Sequence, residues 1–108
     1  SKGLIVVAAA GNEPTGNPVY PAAYPTVIGV GALDPHGTKK WVNSNYGSFV
    51  TIYAPGFANM PVGYNGEPGI YAGTSISTAY VANSISGFLS QNPSATTQEV
   101  LEFLNTKY

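Results

Sequence analysis

A chain of 108 residues has room for one small domain with a single core. Apolar residues make up 44% and charged residues only 8%, against roughly a quarter charged in ordinary soluble domains, so either the surface is built from Ser, Thr, Asn and Gly or part of it is covered by polypeptide outside this chain. A net charge of −1, no arginine and no basic cluster beyond Lys39-Lys40 leave no electrostatic footprint for nucleic acid or an anionic membrane, and the absence of cysteine excludes disulfides, thiolate metal sites and a cysteine nucleophile.

Ser1-Lys2-Gly3 does not resemble a signal peptide, and the apolar run that follows is too short to span a bilayer, so any targeting segment is expected outside the chain. That run, Gly3 to Ala10, is apolar at successive positions, β-branched in the middle and stopped by Gly11-Asn12, a pattern that predicts a buried parallel strand. A loop rich in Pro, Gly and Asn leads to Tyr20-Pro21-Ala22-Ala23-Tyr24-Pro25. Thr26 to Leu33 then reads as a second buried strand and Phe49 to Ala54 as a third, separated by a polar loop from Asp34 to Gly47. Asn65-Gly66, between short extended stretches, predicts a hairpin from Asn59 to Tyr71 that runs directly into Ala72-Gly73-Thr74-Ser75.

From Ser75 to Gln91, the apolar residues Ile76, Ala79, Ala82, Ile85, Phe88 and Leu89 recur at helical spacing. The opposite face carries Ser77, Ser84 and Ser86 and no charge, so this helix is expected to be enclosed by other elements. A second helix begins near Thr96, where Thr96 and Glu99 make a capping box, and Val100, Leu101, Phe103 and Leu104 form its apolar stripe.

A serine hydroxyl becomes a useful nucleophile only if a base takes its proton and the oxyanion it creates is stabilised. Ser75 stands two residues after Gly73 and opens a helix, near unpaired N–H groups and the positive end of the dipole. Taken alone this is also how an ordinary N-cap serine looks. Asn12 ends a strand at the carboxyl edge, where catalytic groups of open α/β sheets gather, although an asparagine in a turn after a strand is common.

Four ordered blocks change that balance: Val6-Val7-Ala8-Ala9-Ala10-Gly11-Asn12-Glu13, Tyr20 to Ala32, Ala54-Pro55-Gly56, and Gly73-Thr74-Ser75. Together they resemble the subtilases, the subtilisin-like serine proteases, from Gly3 to about Leu104. The resemblance implies an α/β fold, the C-terminal portion of the family's three-layer domain, with a mainly parallel sheet and a central helix starting at the nucleophile. It implies that residues 1–108 are a partial catalytic domain, that Ser75 is the nucleophile, that the Asn12 side chain and the Ser75 N–H form the oxyanion hole, and that Thr74 helps stabilise the same oxygen. In this family the triad runs Asp, His, Ser along the chain, with the oxyanion Asn between His and Ser, so the base and its carboxylate belong to an N-terminal half outside this chain, and the chain alone is expected to be inactive. His36, in Pro35-His36-Gly37-Thr38, falls after Asn12 and is read with Asp34 as part of a solvated loop.

The resemblance further places Ala9, Ala10 and Gly11 along the pocket for the residue before the cut, with Glu13 at its rim and Val19 at its base. Val19 stands where glycine is common, which either makes that pocket shallower, for small or medium apolar side chains, or reflects loop packing. No cofactor is implied for catalysis. A structural calcium is possible in the complete domain, and the carbonyls of Ala22, Tyr24 and Val27 correspond to a family cation site, but Thr51 stands where a carboxylate is expected and calcium prefers charged oxygen ligands. The implied partners are a peptide or protein substrate and the N-terminal half, with neither nucleic acid nor membrane, and the implied location is secreted or extracytoplasmic. The chain departs from the family at Ser77-Thr78-Ala79, where proline is usual in place of Ala79. That departure and the missing triad members keep a second reading open, an inactive subtilase-like binding or structural module.

Overall fold

The computed structural model describes residues 4–63 and 65–108, which form five strands and two helices in the order β1 (Val6–Ala9), β2 (Val27–Leu33), β3 (Ile52–Pro55), β4 (Phe57–Met60), β5 (Gly69–Ala72), α1 (Thr74–Gln91) and α2 (Thr97–Lys107). β1, β2 and β3 make a parallel sheet in that spatial order, with Val6 opposite Val27 and Val30 opposite Ile52. β4 and β5 make a separate antiparallel hairpin, Phe57 opposite Ala72, which delivers the chain to the start of α1 as the Asn65-Gly66 signal predicts.

Alternation along β2 sorts the two faces. Ile28 and Val30, with Ile52 and Ala54 of β3, meet Val81 and Ile85 of α1 and Val100 and Leu104 of α2 in one buried cluster. On the other face a Cβ at Gly29 would lie 2.6 Å from the Phe49 carbonyl oxygen, and one at Gly31 would lie 2.5 Å from the Tyr53 ring. Those glycines let loop backbone and an aromatic ring lie directly on the sheet. Both helices lie on the first face.

Two expectations are corrected. The first strand, read as buried, is an edge strand here: Val6 is 43% exposed, and Leu4 just before it 72%. Continuous apolar character marks a strand destined for burial on both faces, and the described residues supply a neighbour on only one of its edges. Gly3 of that run lies outside the described residues. In α1 the second half of the expected stripe holds, Ile85 being buried in the core with Phe88 and Leu89 packed against it, but in the first half the buried residues are Thr74, Ser77 and Val81 rather than Ile76, Ala79 and Ala82. Ser77 is buried because its hydroxyl donates to the Ala54 carbonyl at 2.9 Å. Ala79 and Ala82 are exposed. α2 follows its sequence pattern: the Thr96 side chain accepts from the Glu99 N–H at 3.2 Å, the Glu99 carboxylate accepts from the Thr96 N–H at 2.8 Å, and Phe103 stacks on Phe88 with ring centroids 4.5 Å apart.

Candidate active site

The site lies where the carboxyl end of β1 meets the amino end of α1. β1 stops because Gly11 turns the chain with φ +109°, a conformation that favours glycine, and a Cβ there would collide with the Asn45 carboxamide. Asn12 is the next residue and is exposed. At the other side of the site, Gly73 precedes α1 with no side-chain cap, and its N–H is held by the Gly56 carbonyl at 2.9 Å.

Two reciprocal hydrogen bonds lock these ends together. The Thr74 N–H donates to Asn12 Oδ1 at 2.9 Å, and the Gly11 N–H donates to Thr74 Oγ1 at 3.0 Å. Asn12 thus takes the place of a missing N-cap side chain, satisfying one of the N–H groups that a helix start leaves open. The opposite end of its carboxamide, Nδ2, and the Ser75 N–H have no hydrogen-bond partner among the described residues. Ser75 is exposed, and Thr74 is buried at 1% exposure. A cleft of about 350 Å³ is lined by Asn12, Ser75, Gly73, Ile76, Met60 and Tyr71 among others. Two open donors and a hydroxyl around one cleft at a helix amino end can host an oxygen that gains negative charge.

The other predicted residues are disposed as follows. Ala10 is fully buried, Ala9, Gly11 and Val19 are half-buried, and Glu13 is exposed. Asn12, Thr74 and Ser75 are brought together, whereas Val19 lies in the following loop, its carbonyl accepting from Ala23 N–H at 2.8 Å. His36 is exposed at a turn closed by the Gly37 N–H on the Asp34 carbonyl at 2.9 Å. The Asp34 carboxylate accepts from Thr38 N–H at 3.1 Å, and that bond above all holds its pKa below the ordinary value. Ala22, Tyr24 and Val27 offer neutral carbonyls, Tyr24's already accepting from Val27 N–H at 3.0 Å. Thr51, where a carboxylate was expected, donates its N–H to the Gly29 carbonyl at 2.8 Å and brings no negative charge, and neutral carbonyls without a carboxylate are a poor fit for calcium.

Sequence reasoning missed Asn45. It lay within the stretch read as polar loop, yet Ser44 and Asn45 are both fully buried. Its carboxamide and N–H hold the backbone on both sides of Asn12. The one hint in the sequence is Ser44-Asn45-Tyr46-Gly47 closing that loop just before a strand, and burial of a polar side chain leaves no periodic trace.

Comparison with known proteins matches the Subtilase family (peptidase S8) over residues 1–108. The chain is 36% identical over 110 residues to Subtilisin NAT of Bacillus subtilis subsp. natto, covering 98% of this chain and 29% of that protein. It is 39% identical over 97 residues to Subtilisin Savinase of Lederbergia lenta, covering 87% of this chain and 35% of that one. Among solved structures, a cold adapted subtilisin-like serine proteinase superposes with TM-score 0.75 at 30% identity, over 91% of this chain and 36% of the other. A protease of Pseudoalteromonas arctica superposes with TM-score 0.80 at 26% identity, over 96% of this chain and 35% of the other. The chain spans about a third of the length of these relatives. With the family model matching residues 1–108 and a relative 36% identical over 98% of the chain, this chain belongs to the subtilase family.

Proposed function

We propose that this chain is the nucleophile-bearing part of a serine endopeptidase. In the complete protein a base outside this chain takes the Ser75 proton, Oγ attacks the scissile carbonyl, and the resulting oxyanion is held by Asn12 Nδ2 and the Ser75 N–H. The observation that carries this reading is the Thr74 N–H to Asn12 Oδ1 bond at 2.9 Å, because fixing the acceptor end of the carboxamide leaves its donor end open beside Ser75. Thr74 braces both sides; its hydroxyl accepts from Gly11 and keeps its own proton for the same oxygen.

The partner that completes the domain is an N-terminal half carrying the Asp and His. It would cover the outward face of α1, which has no charged residue in 18 and lines an apolar groove of about 390 Å³ with Ala58, Met60, Ile76, Ala79 and Tyr80. Ala9, Ala10, Gly11, Glu13 and Val19 would receive the residue before the cut, favouring small or medium apolar side chains. The location would be secreted or extracytoplasmic; no described helix is long and apolar enough to cross a membrane.

The test is peptide hydrolysis by the complete protein. Turnover should vanish with Ser75→Ala, and Val19→Gly should shift preference towards larger apolar residues before the cut. Binding of peptides without hydrolysis, unchanged by Ser75→Ala, would instead support a subtilase-like binding module.

A further inference from the structure

We infer that Asn45 is a positioning residue for the proposed hydrolysis: it sets where Asn12 stands, and through Asn12 where the oxyanion donor points. This rests on the function proposed above.

Asn45 is fully buried, and its side-chain polar atoms and its N–H are spent on one target, the loop that carries Asn12. Its Nδ2 donates to the Ala10 carbonyl at 2.8 Å. Its Oδ1 accepts from the Glu13 N–H at 2.8 Å and from the Thr15 N–H at 3.3 Å. Its own N–H donates to the Gly11 carbonyl at 2.8 Å. Ala10 and Gly11 precede Asn12 and Glu13 and Thr15 follow it, so Asn12 sits at a crest whose two sides are tied to a single side chain. A turn asparagine ordinarily bonds backbone about two residues away; here the side-chain bonds span 30 to 35 residues.

The clamp is itself fixed. Ser44 Oγ accepts from the Ala32 N–H of central strand β2 at 3.0 Å and donates to the Asn45 carbonyl at 2.9 Å. Lys40 Nζ donates to the carbonyls of Trp41 and Ser44 at 2.8 and 3.0 Å. The position of β2 is thereby passed to Asn45, from Asn45 to the backbone around Asn12, and from there to the donor beside Ser75. The chemistry is specific to asparagine, since one planar group must donate at one end and accept twice at the other. Aspartate keeps the acceptors but sets an oxygen against the Ala10 carbonyl, and alanine leaves both sides of the loop untied.

A merely structural buried residue and a positioning residue differ in one measurable respect: dependence on Asn12. In the complete protein, kcat, KM and Tm are measured for Asn45→Ala and Asn45→Asp, each alone and combined with Asn12→Ala. With Asn12 present, either substitution should lower kcat roughly ten- to a hundredfold while KM moves less than about threefold. With Asn12→Ala already present, the same substitutions should change kcat less than about threefold, because no donor remains to be misplaced. Should Asn45→Ala fail to fold, Asn45→Asp, which preserves shape and acceptors, gives the same reading. An equal loss in both backgrounds, or no loss in either, overturns the inference while leaving the proposed function standing. Absence of Ser75-dependent turnover in the unmutated protein overturns that function, and this inference with it.

Discussion

The two ends of the Asn12 carboxamide are chemically different, and the proposed role depends on which end faces the helix. A backbone N–H needs an acceptor, so Thr74 selects Oδ1, and Nδ2 is the end left for an incoming negative charge. Asn12→Ala should therefore lower kcat of the complete protein about 10²–10³-fold with little change in KM, the magnitude known for the oxyanion asparagine of subtilisin. Asn12→Asp should do worse than alanine, since it satisfies Thr74 while presenting a carboxylate oxygen to the oxyanion. Steady-state kinetics on the pair decides, and an aspartate variant more active than the alanine one contradicts the assignment. His36→Ala should leave kcat and KM unchanged, because its turn is held by backbone bonds and the Asp34 carboxylate. With the folded pKa of Asp34 lowered below its ordinary 3.8, the turn's contribution is intact at neutral pH and is lost as acid protonates the carboxylate below that value. Faster amide exchange at Thr38 in that acidic window, absent in Asp34→Asn, is the expected signature.

Among the elements, α1 teaches most about what sequence can carry. Its existence, start and lack of charge were legible from spacing and composition. So was the inward side of its second half, at Ile85, Phe88 and Leu89, but the face that its first turns offer the sheet was not, because a hydrophobic pattern counts serine as outward. Ser77 turns inward as its hydroxyl donates to the Ala54 carbonyl, and its small volume suits a crossing where a Cβ on Gly56 would stand 3.0 Å from Ser77 Oγ. Ser77→Ala should cost about 1 kcal/mol, the worth of one buried hydrogen bond. Thr96→Ala should also cost about 1 kcal/mol, through loss of the capping box of α2. Denaturant unfolding of the complete protein measures both, and the two should add, since they share no partner. The capping box was readable because its residues are three apart, whereas Asn45 and the loop it holds are separated by up to 35 residues. Local chemistry shows in a sequence; long-range polar contacts do not.

At the scale of the whole molecule, the surface is larger than the mass warrants. An accessible area of 6574 Å² for 11.2 kDa compares with roughly 5,700 Å² for a self-contained monomer of that mass. The excess fits an uncovered α1 face and an edge strand in which Val6 is 43% exposed. A chain in this condition should lack a cooperative unfolding transition by itself and gain one only with the rest of its domain, which calorimetry of the isolated chain can check. The resemblance read from four sequence blocks extended to the family of the whole chain. The most direct test is labelling of the complete protein with a fluorophosphonate, followed by mass mapping of the adduct. The adduct should appear on Ser75, disappear with Ser75→Ala and weaken sharply with Asn12→Ala. A protein that cleaves peptides while Ser75 stays unlabelled, or carries its adduct on another residue, would contradict the account.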